Sequence, residues 1–166
     1  TLHRPSNVDD PDVLSGLLDA LDIVQRDMPV IFPVHPRTRN RLGEFGLGER
    51  VEAMSNLRLI DPIGYLDFQQ LVSSARIVLT DSGGIQEETT ALGVPCLTLR
   101  ANTERPVTVS HGTIRLVGMD PQAIVKAYRE AMSDTRPART PPFWDGHAAE
   151  RIVRIIGERY SQKSAA

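Results

Sequence analysis

The residue types best suited to chemistry in this chain gather in the run Thr80-Asp81-Ser82-Gly83-Gly84. Asp81 and Ser82 are cap candidates for a following helix. Gly83 and Gly84 remove the side chains that would block the first free backbone N–H groups, so the helix start reads as an anion cradle suited to a phosphate. Glu88 lies four residues after Gly84, one turn along the same helix face, where a carboxylate can accept hydrogen bonds from a sugar diol. Phosphate followed by ribose describes a nucleotide. The run lacks the lysine and the GxxxxGK[ST] spacing of a P-loop, and GxGxxG is missing, so triphosphate hydrolysis and dinucleotide binding fit poorly. An ordinary turn remains the alternative reading of the same residues.

Three further side chains bear on this site. His3 follows Thr1-Leu2 and either donates to the same phosphate or packs as an ordinary side chain. His35 stands between Pro33 and Pro36, one strand further away. Arg105, in Asn102-Thr103-Glu104-Arg105-Pro106, either clamps a second phosphate or pairs with Glu104. His111 and His147 have uninformative neighbours and read as surface.

The elements that must position these residues alternate. Asp9, Asp10 and Pro11 signal a helix start, and Val13, Leu14, Leu17, Leu18, Leu21 and Val24 follow at helical spacing. Residues 29–34 read as a strand buried on both faces, 37–50 as a short solvated helix and loop, and 57–60 as a strand. Residues 65–75 read as a helix with Leu66, Leu71 and Val72 inward, followed by a strand at 76–80 and a helix at 83–92. Strands at 96–99 and 113–117 and a helix at 120–132 complete the series. Pro137, Pro141 and Pro142 then break the chain, residues 143–146 form a turn, and Ile152, Val153, Ile155 and Ile156 ride on a final helix of about 146–162. Ser161 to Ala166 read as a frayed tail.

Such alternation predicts an α/β fold with a doubly wound parallel sheet. Counting Thr1 to Arg4 as the tail of an opening strand gives six, in the order 3-2-1-4-5-6. Strands one and four are then neighbours, and a crevice opens between their carboxyl ends. His3 and the Ser82–Gly84 run flank it.

Composition narrows the alternatives. The 166 residues are 40% hydrophobic and 24% charged, which suits one folded domain rather than a disordered chain. Lys and Arg number 19 against 21 Asp and Glu, a net charge of −2 with no footprint for nucleic acid or an anionic membrane. Cys96 is the single cysteine, so an internal disulfide and the four-cysteine metal sites are excluded, and a cytoplasmic setting is expected. No apolar run is long enough for a membrane span, and the start at Thr1 reads as that of a fragment.

At these residues the chain resembles the non-hydrolysing UDP-N-acetylglucosamine 2-epimerases. Thr80 to Glu88, Leu92-Gly93-Val94-Pro95, Leu99-Arg100, Thr103-Glu104-Arg105-Pro106 and Gly112-Thr113 match that family's pattern in order and spacing. So do Thr1-Leu2-His3-Arg4, Pro33-Val34-His35-Pro36 and Asp61 to Leu66, and the likeness covers about residues 1–157. The resemblance implies the carboxyl-terminal, Rossmann-like half of a two-domain GT-B arrangement. Residues 1–166 would form the nucleotide-sugar-binding domain, with the amino-terminal domain absent. It implies the interconversion of UDP-GlcNAc and UDP-ManNAc, used in cell-surface polysaccharide synthesis. It assigns His3 to the substrate phosphate, Ser82 and Gly84, with Gly83 between them, to the diphosphate, and Glu88 to the ribose hydroxyls. The backbone of Phe68 would read the uracil, and Arg105 would line the nucleotide site. Arg4 and His35 match positions of an activator site.

The acid and base of the reaction would come from the missing half, so no catalytic residue is expected in this chain and the isolated chain should be inactive. No cofactor or metal is implied. The expected partners are the UDP-sugar and the amino-terminal domain, with a homodimer for the full-length protein and neither nucleic acid nor membrane. Two alternatives stand beside this: the nucleotide-sugar domain of a GT-B glycosyltransferase, and a non-catalytic nucleotide-sugar-binding module.

Overall fold

Three helices begin where a side-chain acceptor precedes a proline. Asp10 accepts from the N–H groups of Asp12 and Val13 at the start of α2 (Pro11–Asp27), which follows a single turn, α1 (Pro5–Val8). After strand β1 (Val30–Pro33), His35 Nδ1 accepts from Arg37 N–H, 3.1 Å, at the start of α3 (Pro36–Glu44). Next come α4 (Gly48–Glu52), β2 (Leu57–Ile60), α5 (Tyr65–Ser73), β3 (Val78–Thr80), α6 (Gly83–Leu92), β4 (Cys96–Thr98), α7 (Pro106–Ser110) and β5 (Ile114–Leu116). Asp120 then caps α8 (Pro121–Ser133) by accepting from Ala123 N–H, 2.8 Å. Each cap satisfies N–H groups that the helix itself leaves open, and proline at the first position gives up none. The last helix is α9 (Ala148–Ser164). This computed structural model describes residues 1–135 and 139–164, with side chains through residue 160. The break expected at Pro137 and the end of the tail lie outside the described residues.

All paired strands are parallel, as the alternation requires. β1 pairs with β2 in the register Val30↔Leu57, and β4 lies between β3 and β5 with Val78↔Cys96 and Cys96↔Ile114. The expected single sheet of six is, among the described residues, two sheets of two and three strands. Thr1 supplies one parallel rung beside β3: its ammonium donates to the Leu79 carbonyl, 2.8 Å, and Asp81 N–H donates to the Thr1 carbonyl, 3.4 Å. The opening run thus neighbours β3, as the order 3-2-1-4-5-6 demands, but one rung is too short to join β3 to β1. An apolar cavity of about 420 Å³ separates the two edges, lined in part by Val30, Phe32, Phe68, Val78 and Leu79.

Burial corrects several expectations. The strand at 29–34 is not buried on both faces, since Ile31 is 38% exposed. Leu66 faces solvent, because α5 turns Val72 inward and seats Phe68, four residues earlier, against the core. The basic stretch 37–50 is more than a solvated helix and loop. It makes two helices that bury Thr38, Leu42 and Val51, and Arg37 and Arg41 both pair with Asp9. Ile152, Val153, Ile155 and Ile156 on α9 are all exposed.

The main core joins α2, β1, β2 and the opening residues through Leu14, Leu17, Leu18, Phe32 and Leu2, and Leu99 joins them from the end of β4. Under α6 a second cluster holds Val72, Val78, Val94, Cys96 and Ile114. Burial pushes the Cys96 thiol up to about 11. Gly112 is required by packing, because a Cβ there would sit 2.4 Å from the Thr108 carbonyl oxygen. Among the described residues no helix is long and apolar enough to cross a membrane.

Candidate functional site

The start of α6, at the carboxyl end of β3, is bare. Ser82 is its N-cap residue, yet its side chain makes no cap bond, and its N–H donates to Thr80 Oγ1, 3.1 Å. Asp81 does not cap the helix either. Its carboxylate is fully buried and accepts from the His3 N–H (3.0 Å), the Arg4 N–H (2.9 Å) and His3 Nδ1 (2.9 Å). Arg4 Nε donates in turn to the Asp81 carbonyl, 3.0 Å. The sequence offers two caps, and the fold diverts one of them to the opening segment, 78 residues away. The first N–H groups of α6 therefore face outward with the positive end of the helix dipole.

Gly83 and Gly84 leave that end open. A Cβ on Gly84 would meet nothing within 4 Å, and one on Gly83 only Glu104 Oε2 at 3.8 Å. Neither glycine has a positive φ. Unlike Gly112, these two are demanded neither by packing nor by backbone conformation, and their small size keeps the surface clear for something else.

Around this end, Glu88 is half-buried, with no hydrogen bond or ion pair to its side chain among the described residues. Arg105 pairs with Glu87 rather than with Glu104, the partner weighed from spacing. Glu104 instead takes a bidentate contact from Arg100, 2.6 and 2.8 Å, and lies 3.6 Å from Arg4. The hydrogen bond from Arg100 holds the Glu104 carboxyl down to about 2. Burial opposes ionisation of Asp81, yet hydrogen bonds from the His3 ring and from the Arg4 and His3 backbones outweigh it and keep this carboxyl below its ordinary range. Thr103 donates to Gln86 Oε1, 2.6 Å, and accepts from Arg105 N–H, 3.0 Å, which pins the loop after β4 to the first turn of α6. Asn7 donates to the Leu99 carbonyl, 2.8 Å, and holds α1 against the end of β4.

The structure thus brings His3, Arg4, Ser82, Gly83 and Gly84 to one rim, with Glu88 one turn on. His35 is closer than strand order suggested, its ring centroid 5.7 Å from that of His3. Phe68 packs with Ile85 on the cluster under α6, and its N–H donates to the Gly64 carbonyl, 2.9 Å. Sequence reasoning gave Asp81 the wrong task and assigned no role to Arg100, Gln86 and Thr103, although all three stand in the runs that carry the family resemblance. Among the described residues no cluster of His, Cys, Asp and Glu could hold a metal ion.

Parallel strands wrapped by helices, with an open helix start at their carboxyl ends, define a Rossmann-like α/β domain. The chain belongs to the UDP-N-acetylglucosamine 2-epimerase family, whose model matches residues 1–157. It is 43% identical over 158 residues to the UDP-N-acetylglucosamine 2-epimerase of Methanocaldococcus jannaschii, covering 94% of this chain and 43% of that protein. To its counterpart in Methanococcus maripaludis it is 41% identical over 162 residues, with 96% and 44% covered. The solved M. jannaschii structure in complex with UDP-GlcNAc and UDP superposes with a TM-score of 0.83 at 42% identity, covering 95% of this chain and 44% of that one. The chain therefore spans less than half the length of these relatives.

Proposed function

We propose that this domain is the UDP-binding half of a UDP-N-acetylglucosamine 2-epimerase. The observation that carries the reading is the pair of glycines at an uncapped helix start, kept small where neither packing nor backbone requires it. The diphosphate would take the N–H groups of Gly83 and Gly84 and the free Ser82 hydroxyl, with His3 and Arg105 at its flanks. Glu88 would hold the ribose hydroxyls. The uracil would lie toward α5, where the Phe68 carbonyl keeps a second lone pair for the base although its N–H is engaged. Arg4 and His35 would touch a second, activating ligand on the same rim.

Inversion at C2 requires loss of the C2 proton, departure of UDP and its return after protonation from the other face. This chain's share is to stabilise the charge that develops on the departing diphosphate. Asp81 is buried on His3 and Arg4, Glu104 is held by Arg100, Glu87 pairs with Arg105 and Glu88 is assigned to ribose, so none of these four carboxylates at the rim is left to reach C2. The acid and base would come from an amino-terminal domain facing this one in a GT-B pair, a division supported by the 43% of its relative's length that this chain covers. The full-length protein is read as a homodimer, to be checked by sedimentation.

Calorimetric titration with UDP, UMP and uridine tests the site. Binding should weaken in that order, and uridine binding as tightly as UDP would remove the phosphate cradle. Incubation of the chain with UDP-N-acetylglucosamine in deuterated water should give no deuterium at C2, and exchange there would place a base in this half.

A further inference from the structure

His3 and His35 lie ring to ring, 5.7 Å apart and tilted by 40°, and their Nδ1 atoms are engaged in opposite senses. His35 Nδ1 accepts from Arg37 N–H at the start of α3, so this nitrogen carries no proton and the ring's donor is Nε2. His3 Nδ1 lies 2.9 Å from Asp81 Oδ1, and that carboxylate already accepts two backbone N–H groups. An acceptor so placed fixes a proton on His3 Nδ1. A neutral His3 then turns only a lone pair outward at Nε2, which an anion does not bind. The ring can donate to a phosphate from Nε2 only after gaining a second proton.

We propose that His3 takes up a proton from solvent when a UDP-sugar binds at the α6 start, and that Asp81 is the positioning residue that makes this uptake obligatory. The inference rests on the reading of that start as the diphosphate site. No covalent bond to carbon or phosphorus changes, and the proton returns to solvent on release. The charged groups facing His3 are consistent with this role. Asp81 comes from the β3–α6 loop, and Arg4, from the same segment as His3, bonds the Asp81 carbonyl and lies near Glu104. Glu104 is itself held by Arg100 in the loop after β4, and Arg37, beyond His35, is tied to Asp9. Glu104 is shared between Arg100 and Arg4 and Asp9 between Arg37 and Arg41, while Asp81 is the charged group bonded to the His3 ring, so a second proton on His3 is balanced by Asp81 at Nδ1 and by the ligand at Nε2.

Two measurements on the 166-residue chain test this. Nitrogen-resolved imidazole NMR without ligand should show neutral His3 as the Nδ1–H tautomer and His35 as the Nε2–H tautomer, and His3 found as Nε2–H overturns the proposal. Calorimetry with UDP-N-acetylglucosamine, which lacks a terminal phosphate that titrates near neutrality, should then be run between pH 6 and 8, below the ionisation of the uracil N–H, in buffers of different ionisation enthalpy. On the alkaline side uptake should approach about one proton per ligand. Binding without uptake across that range overturns the proposal and leaves the diphosphate reading intact, whereas no binding at all overturns both. In Asp81→Asn the amide N–H would face Nδ1 and move the His3 proton to Nε2, so uptake should disappear while the His35 signal stays unchanged. Should that variant fail to fold, the tautomer and proton count of the unaltered chain decide the matter.

Discussion

Helices α6 and α8 each follow an edge strand of the three-stranded sheet, β3 and β5, and start in opposite ways. At α8, Asp120 accepts from Ala123 N–H and Pro121 follows, so the helix end is closed by the chain itself. At α6, Ser82 stands in the capping position and makes no cap, while Asp81 is drawn away to His3 and Arg4. A hydroxyl that is present and unused is a stronger sign of a ligand site than a missing one, because local stability would favour its use. α5 illustrates the contrast, since its cap position is Gly64, which has no side chain to offer.

Closing the α6 start should erase the contrast with the largest effect. Ser82→Asp places a carboxylate that can cap the helix where the phosphate would lie, and UDP affinity should fall about a hundredfold, roughly 2.7 kcal/mol. The same variant should melt higher, since a cap contributes about 1 kcal/mol. Calorimetry and thermal denaturation read the two changes, and unchanged UDP affinity would mean that no phosphate sits there.

Glu88→Ala should come next. Losing a charge-assisted hydrogen bond costs roughly 1.5–3 kcal/mol, so affinity for UDP should drop at least about tenfold, and Glu88→Gln should cost less. An alanine variant that binds UDP normally would make Glu88 an ordinary surface carboxylate. Asp120→Ala sharpens the comparison from the other side. It should destabilise the fold by about 1 kcal/mol in denaturant titrations and leave UDP binding untouched.

The smallest effect concerns acid. Glu104 is held down to about 2 by its hydrogen bond from Arg100, so its contribution is present above the ordinary glutamate range and is lost as pH falls toward 2. The group is largely exposed, and solvent screening keeps the effect modest. Stability of the unaltered chain and of Glu104→Gln, measured from pH 5 downward, should converge over that interval, and a difference independent of pH would show that the pair with Arg100 contributes nothing.

Local signals in the sequence were sufficient where one residue type had one task. Asp10-Pro11 and Asp120-Pro121 marked true helix starts, and alternating strands and helices gave parallel pairing. The spacing from Gly84 to Glu88 placed both on one helix at the rim. Legibility failed where the partner lies far along the chain. Asp81 could cap or reach across, and His3, 78 residues away, decides it. Glu104 had two arginines within reach, and the course of the loop after β4 gives it Arg100 and leaves Arg105 to Glu87. Leu66 has the composition of a core position and is 79% exposed, because helical phase, not hydrophobicity, chooses the buried face of α5.

Cys96 gives the domain a clock. It is the sole thiol in the chain, it sits in the middle of the three-stranded sheet with 1% of its surface exposed, and burial keeps it in the unreactive protonated form. An alkylating reagent can reach it only while β4 is open. The rate of labelling by a neutral maleimide therefore counts openings of the sheet under the α6 site. A ligand that ties α6 to the loop after β4 should slow that count, which makes one sulfur atom a reporter of occupancy at a rim it never touches.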